Sequence, residues 1–355
     1  VSFTPPPLLE LTPAGLYCKA ADTYLDPWKP VPKALITHGH SDHAKWGMGA
    51  YICTTESLPI LKHRLGSEIE ATGYPYNVPF SVRGVTFSFH PAGHVPGSAQ
   101  IRVEYRGEVW VFSGDYKVEN DGVSTPFEAI ECHTFISECT FGLPVFRWRP
   151  QSEVITDIET WITTNSHDSR SSVLFAYSLG KAQRILAHLP HSIGEVYLHP
   201  SIRSMCKVIG IPLNHLSIVD TYPKKPPYVI IAPPGTWSSQ NRRNSDGVLI
   251  PSHSLTASLS GWMSVRGLRK RSDVDRGFPL SDHADFLGLI AAIQATKAEK
   301  ILLTHGFCAP FGRYLRERGY QASELSTPFS SEDNADGEST DGRIEDLNVP
   351  EGFHD

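Results

Sequence analysis

Four metal-capable side chains fall within the six-residue run His38-Gly-His40-Ser-Asp42-His43. The run follows Ala34-Leu35-Ile36-Thr37, an apolar stretch that reads as a buried strand. A helix does not aim all four inward, because residues one and two apart do not share a face. A turn leaving a strand does. The motif therefore calls for a sheet with a polar pocket at its edge. Imidazole and carboxylate together suit zinc, and less exclusively manganese or iron.

Three isolated signals recur in the same strand-then-turn context. His94 lies in Pro91-Ala-Gly-His-Val-Pro-Gly97, whose Gly and Pro residues permit the irregular backbone of a ligand loop. Asp115 follows Val111-Phe-Ser-Gly114, and His305 follows Ile301-Leu-Leu-Thr304. Two ions a few ångströms apart need about seven or eight ligand atoms. His38 and His40 are expected to serve the first ion and Asp42 and His43 the second. Asp115 is expected to bridge them, with His94 and His305 completing the set. His90, on a strand, is read as packing or supporting a ligand.

Length allows two domains, and the 20% charged and 40% hydrophobic balance is that of a globular protein. No apolar run approaches 18 residues, so no membrane span is expected. The N-terminus carries no basic segment followed by an apolar one, which argues against a secretory signal. Six scattered cysteines without a C-x-x-C pair point to a reducing, cytoplasmic compartment, and Cys139 is expected to be inert. The net charge of −6 is unevenly spread. Residues 330–355 hold nine acids and one base, which leaves 31 bases against 29 acids elsewhere, a net of +2. The segment 326–355 is therefore expected to be a disordered acidic tail.

Residues 16–113 read as short strands with turn punctuation. A helix is predicted from Thr55 to Leu65, capped by Thr54 or Thr55 and stopped by Gly66. Ile101–Tyr105, Arg106-Gly107 and Val109–Phe112 read as a hairpin, and Thr134–Ser137 as a further strand. From Ser152 the rhythm becomes helix and strand in alternation: helices 152–163, 179–189 and 201–209, with strands 173–176, 195–198 and 228–232. That alternation indicates a small parallel α/β unit. The chain returns to a strand near Phe278–Leu280, a helix 284–295, a strand Lys300–Thr304 and a helix 308–318.

The ordered set His38-x-His40-x-Asp42-His43, His94 and Ser113-Gly-Asp115 resembles the metallo-β-lactamase superfamily, and Asp26 in Leu25-Asp-Pro27 resembles its first acidic motif, which orients the ligand loop. Glu138 in Ser137-Glu-Cys-Thr-Phe-Gly142, Ser281-Asp-His283-Ala-Asp285 and Thr304-His305-Gly306 resemble the three motifs of the β-CASP nucleases. Phe141-Gly-Leu-Pro144, Phe175-Ala-Tyr-Ser-Leu-Gly-Lys-Ala-Gln183 and Gly261-Trp-Met-Ser-Val-Arg-Gly267 are similar to runs in the bacterial ligase-associated DNA exonucleases. Cys139 departs from relatives that often carry a small hydroxyl residue there.

The resemblance implies an α/β protein: a metallo-β-lactamase αββα four-layer sandwich, residues 1–142 and 272–325, with an inserted β-CASP α/β cap, residues 143–271. It implies a metal-dependent DNA exonuclease acting in repair, with two divalent ions, zinc or else manganese, delivering a hydroxide to the phosphodiester. Asp42, Glu138 and His283 are the implied catalytic residues, His283 giving a proton to the leaving oxygen and Glu138 orienting it. The implied partners are single-stranded DNA or a DNA end, with a functional link to a DNA ligase and a helicase. Rival readings are an RNA-processing β-CASP nuclease, a small-molecule hydrolase and a non-catalytic nucleic-acid scaffold.

Phosphate contacts are expected from Ser178 and Lys181, where a strand meets a helix N-terminus, and from Arg266 in the basic run Arg266-Gly-Leu-Arg-Lys-Arg271. Arg147, Arg149, Arg242 and Arg243 add basic charge, and Trp148, Trp237 and Trp262 are candidate base-stacking residues.

Overall fold

The computed structural model describes residues 7–219, 225–234, 254–271 and 273–325. The acidic tail, Trp237, Arg242 and Arg243 lie outside the described residues. The helices are α1 (Ser57–Leu65), α2 (Gln151–His167), α3 (Lys181–His188), α4 (Pro200–Ile209), α5 (Arg266–Arg271), α6 (Phe286–Thr296) and α7 (Cys308–Glu317). Strands form three sheets. The first runs in chain order from Glu10–Thr12 to Ala71–Tyr74. The second is mixed, with Thr134–Cys139 parallel to both Glu108–Phe112 and Lys300–Gly306. The third is parallel throughout and lies between residues 172 and 278.

The first two sheets face each other across a layer that includes Leu16, Leu35, Phe87, Phe89, Ile101, Val103 and Ile136. Each such side chain contributes about 1.5–3 kcal/mol by leaving water. The outer face of the second sheet packs on α6 and α7 through Phe135, Leu289, Ile293, Leu303 and Phe311. The outer face of the first packs on α1 through Ile36, Tyr51 and Leu61. The result is the four-layer αββα sandwich that the motif resemblance implies. The third sheet has its own core, built with α2, α3 and α4 from Ile158, Leu174, Ile185, Val196 and Ile202. The strand Arg276–Phe278 pairs with Leu255–Leu259 in this sheet, past residue 271, where the motif resemblance ends the inserted unit.

Local chemistry explains the element ends. α1 begins at Ser57, two residues later than predicted, and the Ser57 amide donates to Thr54 Oγ1 at 2.9 Å. Arg106 and Gly107 turn the hairpin with φ of 53° and 83°, the left-handed pair that suits strand twist. α2 outruns its predicted end at 163 to reach His167. Its threonines do not stop it: the Thr163 and Thr164 hydroxyls donate back to the Glu159 and Thr160 carbonyls at 2.9 and 2.8 Å.

Candidate metal centre and active site

The predicted ligands come from successive strand ends on one edge of the sandwich. His38 follows Ala34–Leu35, His94 follows Val85–Pro91, Asp115 follows Glu108–Phe112, and His305 lies near the end of Lys300–Gly306. Two backbone positions make the convergence possible. Gly114 has φ of 55°, and a Cβ there would stand 2.7 Å from the Thr37 side chain. Gly306, at φ 80°, leaves room for Thr140, whose Cα would be 2.4 Å from a Cβ.

Donor atoms of His38, His40, His94 and Asp115 all lie within 4.8 Å of one another, and so do those of Asp42, His43 and Asp115. Asp115 belongs to both groups. Each imidazole is turned by a partner outside the group. His94 Nδ1 donates to the Asp282 carbonyl at 2.8 Å, and His40 Nε2 to the Leu179 carbonyl at 3.2 Å. His38 Nδ1 meets Thr37 Oγ1 at 3.0 Å. The lone pairs of His38 Nε2, His40 Nδ1 and His94 Nε2 therefore point together, with His40 Nδ1 3.2 Å from His38 Nε2 and 3.1 Å from His94 Nε2. Three nitrogen lone pairs at that separation call for a cation among them.

In the second group, His43 Nδ1 donates to Asp26 Oδ2 at 2.7 Å. Asp26 also accepts the Thr37 amide at 2.8 Å and the Thr37 hydroxyl at 2.5 Å, which fixes the start of the ligand turn. His43 Nε2 then faces Asp115 Oδ2 at 3.3 Å and Asp42 Oδ2 at 3.5 Å, buried and without a hydrogen-bond partner. An orphaned ring nitrogen aimed at two carboxylates fits a divalent ion. His305 flanks this group: its ring stacks on His43 with centroids 5.2 Å apart, and its Nδ1 meets Thr304 Oγ1 at 3.0 Å. The two donor groups themselves do not include it.

Electrostatics agree with ligation. Burial lowers the pKa of His38 and His40, and takes His94 down to about 3, so these rings are neutral. His305 is lowered by burial and by His43. Burial opposes charge on His43 too, but Asp115, Asp42 and Asp26 outweigh it and hold His43 well above its ordinary value. Burial likewise favours a neutral Asp115, yet His43 holds that carboxyl well below the usual range. Both shifts have one cause, the closeness of the His43 ring to the Asp115 carboxylate, and a divalent ion held by these groups would take that place.

Beside the shared carboxylate, His283 Nδ1 bonds Glu138 at 2.9 Å to Oε1 and 3.1 Å to Oε2. Glu138 is itself held by the amides of Tyr116 and Thr140 at 2.9 and 3.3 Å. The His283 ring lies 4.6 Å from that of His94. Its Nε2 lies on the side of the ring away from Glu138.

No family model matches the chain. A probable DNA ligase of Opitutus terrae is 32% identical over 316 residues, covering 87% of this chain and 30% of that protein. The endoribonuclease YSH1 of Eremothecium gossypii is 22% identical over 67% of this chain and 38% of its own length. The DNA cross-link repair protein pso2/snm1 of Schizosaccharomyces pombe is 25% identical over 47% of this chain and 32% of its own. The chain thus spans roughly a third of the length of these curated relatives. A solved structure of a protein of unknown function from Enterococcus faecalis shares the fold at a TM-score of 0.57 and 13% identity, over 84% of this chain and 80% of that one. The chain belongs to the metallo-β-lactamase superfamily, in its β-CASP nuclease group.

In this β-CASP protein the inserted unit walls the metal edge. A cleft is lined by His40, Asp42, His94, Asp115, Asp282 and His283 from the sandwich side, and by Tyr177 and Lys181 opposite. Lys181 thus reaches the cleft, 3.8 Å from Asp282 and over the Tyr177 ring. Ser178 lies in an adjoining hollow with Arg64 and bonds Ser201 Oγ at 2.8 Å. Arg266 is exposed at the start of α5 and does not line the cleft. Trp262 is buried with Phe141, Phe146 and Phe307, and half-buried Trp148 packs against the same cluster. Burial therefore corrects the stacking expectation for Trp262, and Trp148 is partly covered by Phe141 and Phe146. Trp148 serves the site differently, since its Nε1 donates to the His283 carbonyl at 3.0 Å. Arg149 pairs with Glu153 and Asp157 on the surface. Cys139 is buried, its thiol 3.3 Å from Cys308 Sγ and 3.0 Å from the His305 carbonyl, and burial raises its pKa well above the ordinary thiol value. It is a packing group and not a nucleophile. All six cysteines are unpaired. Among the described residues no helix is long and apolar enough to cross a membrane. The residues to which sequence reasoning gave no role are Thr37, Asp282 and Arg184; Arg184 stands one turn after Lys181 on α3, and that spacing is the signal it offered.

Proposed function

We propose that the chain is a metal-dependent nuclease that hydrolyses phosphodiester bonds in DNA, working from an end. The observation that carries this reading is the carboxylate of Asp115 shared by two donor groups, with the Glu138–His283 pair beside it. His38, His40, His94 and Asp115 would hold one divalent ion, and Asp42, His43 and Asp115 the other, with His305 adjacent. When bound, zinc or manganese supplies Lewis acidity toward a phosphoryl oxygen and acidifies a water. His283, aligned by Glu138, gives a proton from Nε2 to the departing sugar oxygen, a contribution of about a hundredfold to ten-thousandfold. Lys181 lies within reach of a phosphate in the cleft, and Ser178 extends the polar wall. Arg266, on the exposed basic helix, gathers the strand outside it.

The choice of DNA is supported by similarity to a protein named a probable DNA ligase and to a DNA cross-link repair protein. It also supports a working link to a ligase, in which trimmed ends pass on to be sealed; a helicase link rests on the motif resemblance alone. A second reading, endonucleolytic RNA processing, is favoured by similarity to the endoribonuclease YSH1 over 67% of the chain. Matched DNA and RNA strands, labelled at either end and phosphorylated or blocked in turn, decide between them with zinc or manganese present. Stepwise loss of nucleotides from DNA is expected. Faster RNA cleavage at internal positions establishes the second reading.

A further inference from the structure

A buried charge cluster behind the cleft is used neither by the donor groups nor by the acid pair. Arg184 and Lys181, one turn apart on α3, are 2% and 3% exposed, and Asp282 is 4% exposed. Arg184 Nη1 lies 3.3 Å from Asp282 Oδ1 and also donates to the Ser281 carbonyl. Its Nε donates to Gln151 Oε1, which ties the guanidinium to the start of α2. Burial alone would lift the Asp282 carboxyl, but Lys181 and Arg184 outweigh it and keep it below its ordinary value. Lys117, buried close by, faces the same cluster and pairs with Glu119 at 2.8 Å. Lys117, Lys181 and Arg184 thus bring three cations to two carboxylates.

Withdrawing a guanidinium from water is costly unless each donor finds an acceptor in fixed geometry. Here Gln151 takes the Nε proton, while the other two acceptors, the Ser281 carbonyl and the Asp282 carboxylate, belong to the one turn Ser281-Asp282-His283, and that turn faces the site twice. The Asp282 carbonyl takes the Nδ1 proton of His94, which presents Nε2 to the first donor group. The next side chain is His283, bonded to Glu138. Arg184 grips the turn from the opposite side, at the Ser281 carbonyl and at the Asp282 carboxylate.

We infer that Arg184 and Asp282 are a positioning pair, through which the inserted unit sets both the His94 ring and the His283 ring. A shift of the turn moves the carbonyl that fixes the first and the backbone that carries the second. The His283 half of the inference rests on the nuclease reading. The His94 half rests on metal binding alone and is measurable without turnover.

The test uses the full chain with Asp282→Asn and Arg184→Met. Metal affinity is measured by chelator competition, His94 geometry by the cobalt(II) absorption spectrum, and turnover on labelled DNA. Zinc affinity is expected to fall about 10–100-fold, as for loss of a group that orients a ligand. The cobalt spectrum should change, and kcat should drop with KM within twofold of wild type. If both variants fold, bind zinc within twofold of wild type, keep the cobalt spectrum and retain kcat, the inference is overturned, whatever happens to the melting temperature. Should Arg184→Met fail to fold, the near-isosteric Asp282→Asn decides by the same criteria. A wild-type protein that binds zinc but cleaves no phosphodiester would sink the nuclease reading, and the chelator and cobalt measurements would still decide this one.

Discussion

Asp115 Oδ2 stands 3.3 Å from His43, 3.5 Å from His38 and 3.8 Å from His94, so one oxygen serves both donor groups. Asp115→Ala is therefore expected to weaken both ions together and to reduce turnover at least about a hundredfold, the scale of a lost electrostatic stabiliser. Equilibrium dialysis with zinc checks the first effect, and a retained second equivalent would exclude the shared-carboxylate arrangement. His283→Ala should behave differently: turnover falls about a hundredfold to ten-thousandfold while metal content is unchanged. Loss of an ion in that variant would make His283 a ligand. The contrast also marks what was readable. His38, His40, Asp42 and His43 declare themselves by spacing within one turn, whereas Glu138 and His283 meet across 145 residues and only motif resemblance paired them. Asp282 stands inside the Ser281–Asp285 motif, but neither spacing nor resemblance paired it with Arg184, 98 residues away.

At the scale of elements, the ligand turn is held by a contact between neighbouring strand ends. Gly114, at φ 55°, passes against Thr37, whose amide and hydroxyl anchor Asp26. Gly114→Ala places a methyl 2.7 Å from that side chain in a left-handed conformation. A loss of about 1–3 kcal/mol is expected from backbone strain alone, read as a lower urea midpoint, with weaker zinc binding because Thr37 moves. An unchanged midpoint would mean that the turn yields freely. Periodicity located most helices and the central strands, because each buries one regular face. It missed Leu255–Leu259, which mixes polar and apolar residues yet lies inside a parallel sheet. There, burial on both sides replaces the alternation that marks a half-exposed strand.

The whole molecule is arranged so that its parts meet at one place. The first sheet supplies the His38–His43 turn, the second supplies Glu138 and His305 from its strands and His94 and Asp115 from its loops, and the inserted unit closes the cleft through Tyr177 and Lys181. The sandwich and the inserted sheet each have a separate apolar core, and two smaller apolar clusters join them beside the cleft, one around Phe141, Trp262 and Phe307 and one around Ile60, Val95, Leu179 and Met205. An ion bound in the cleft cross-links strand ends that are distant in sequence, and it binds the folded state alone. At a free concentration a hundred times its dissociation constant, one such ion contributes about 2.7 kcal/mol. Chelation should consequently lower the melting temperature by roughly 4 °C per ion in a protein of this size, and readdition of zinc or manganese should restore it. The same treatment applied to Asp115→Ala should shift the transition far less, because that variant has lost the shared carboxylate. Equal shifts in the two proteins would place the stabilising ion elsewhere on the molecule.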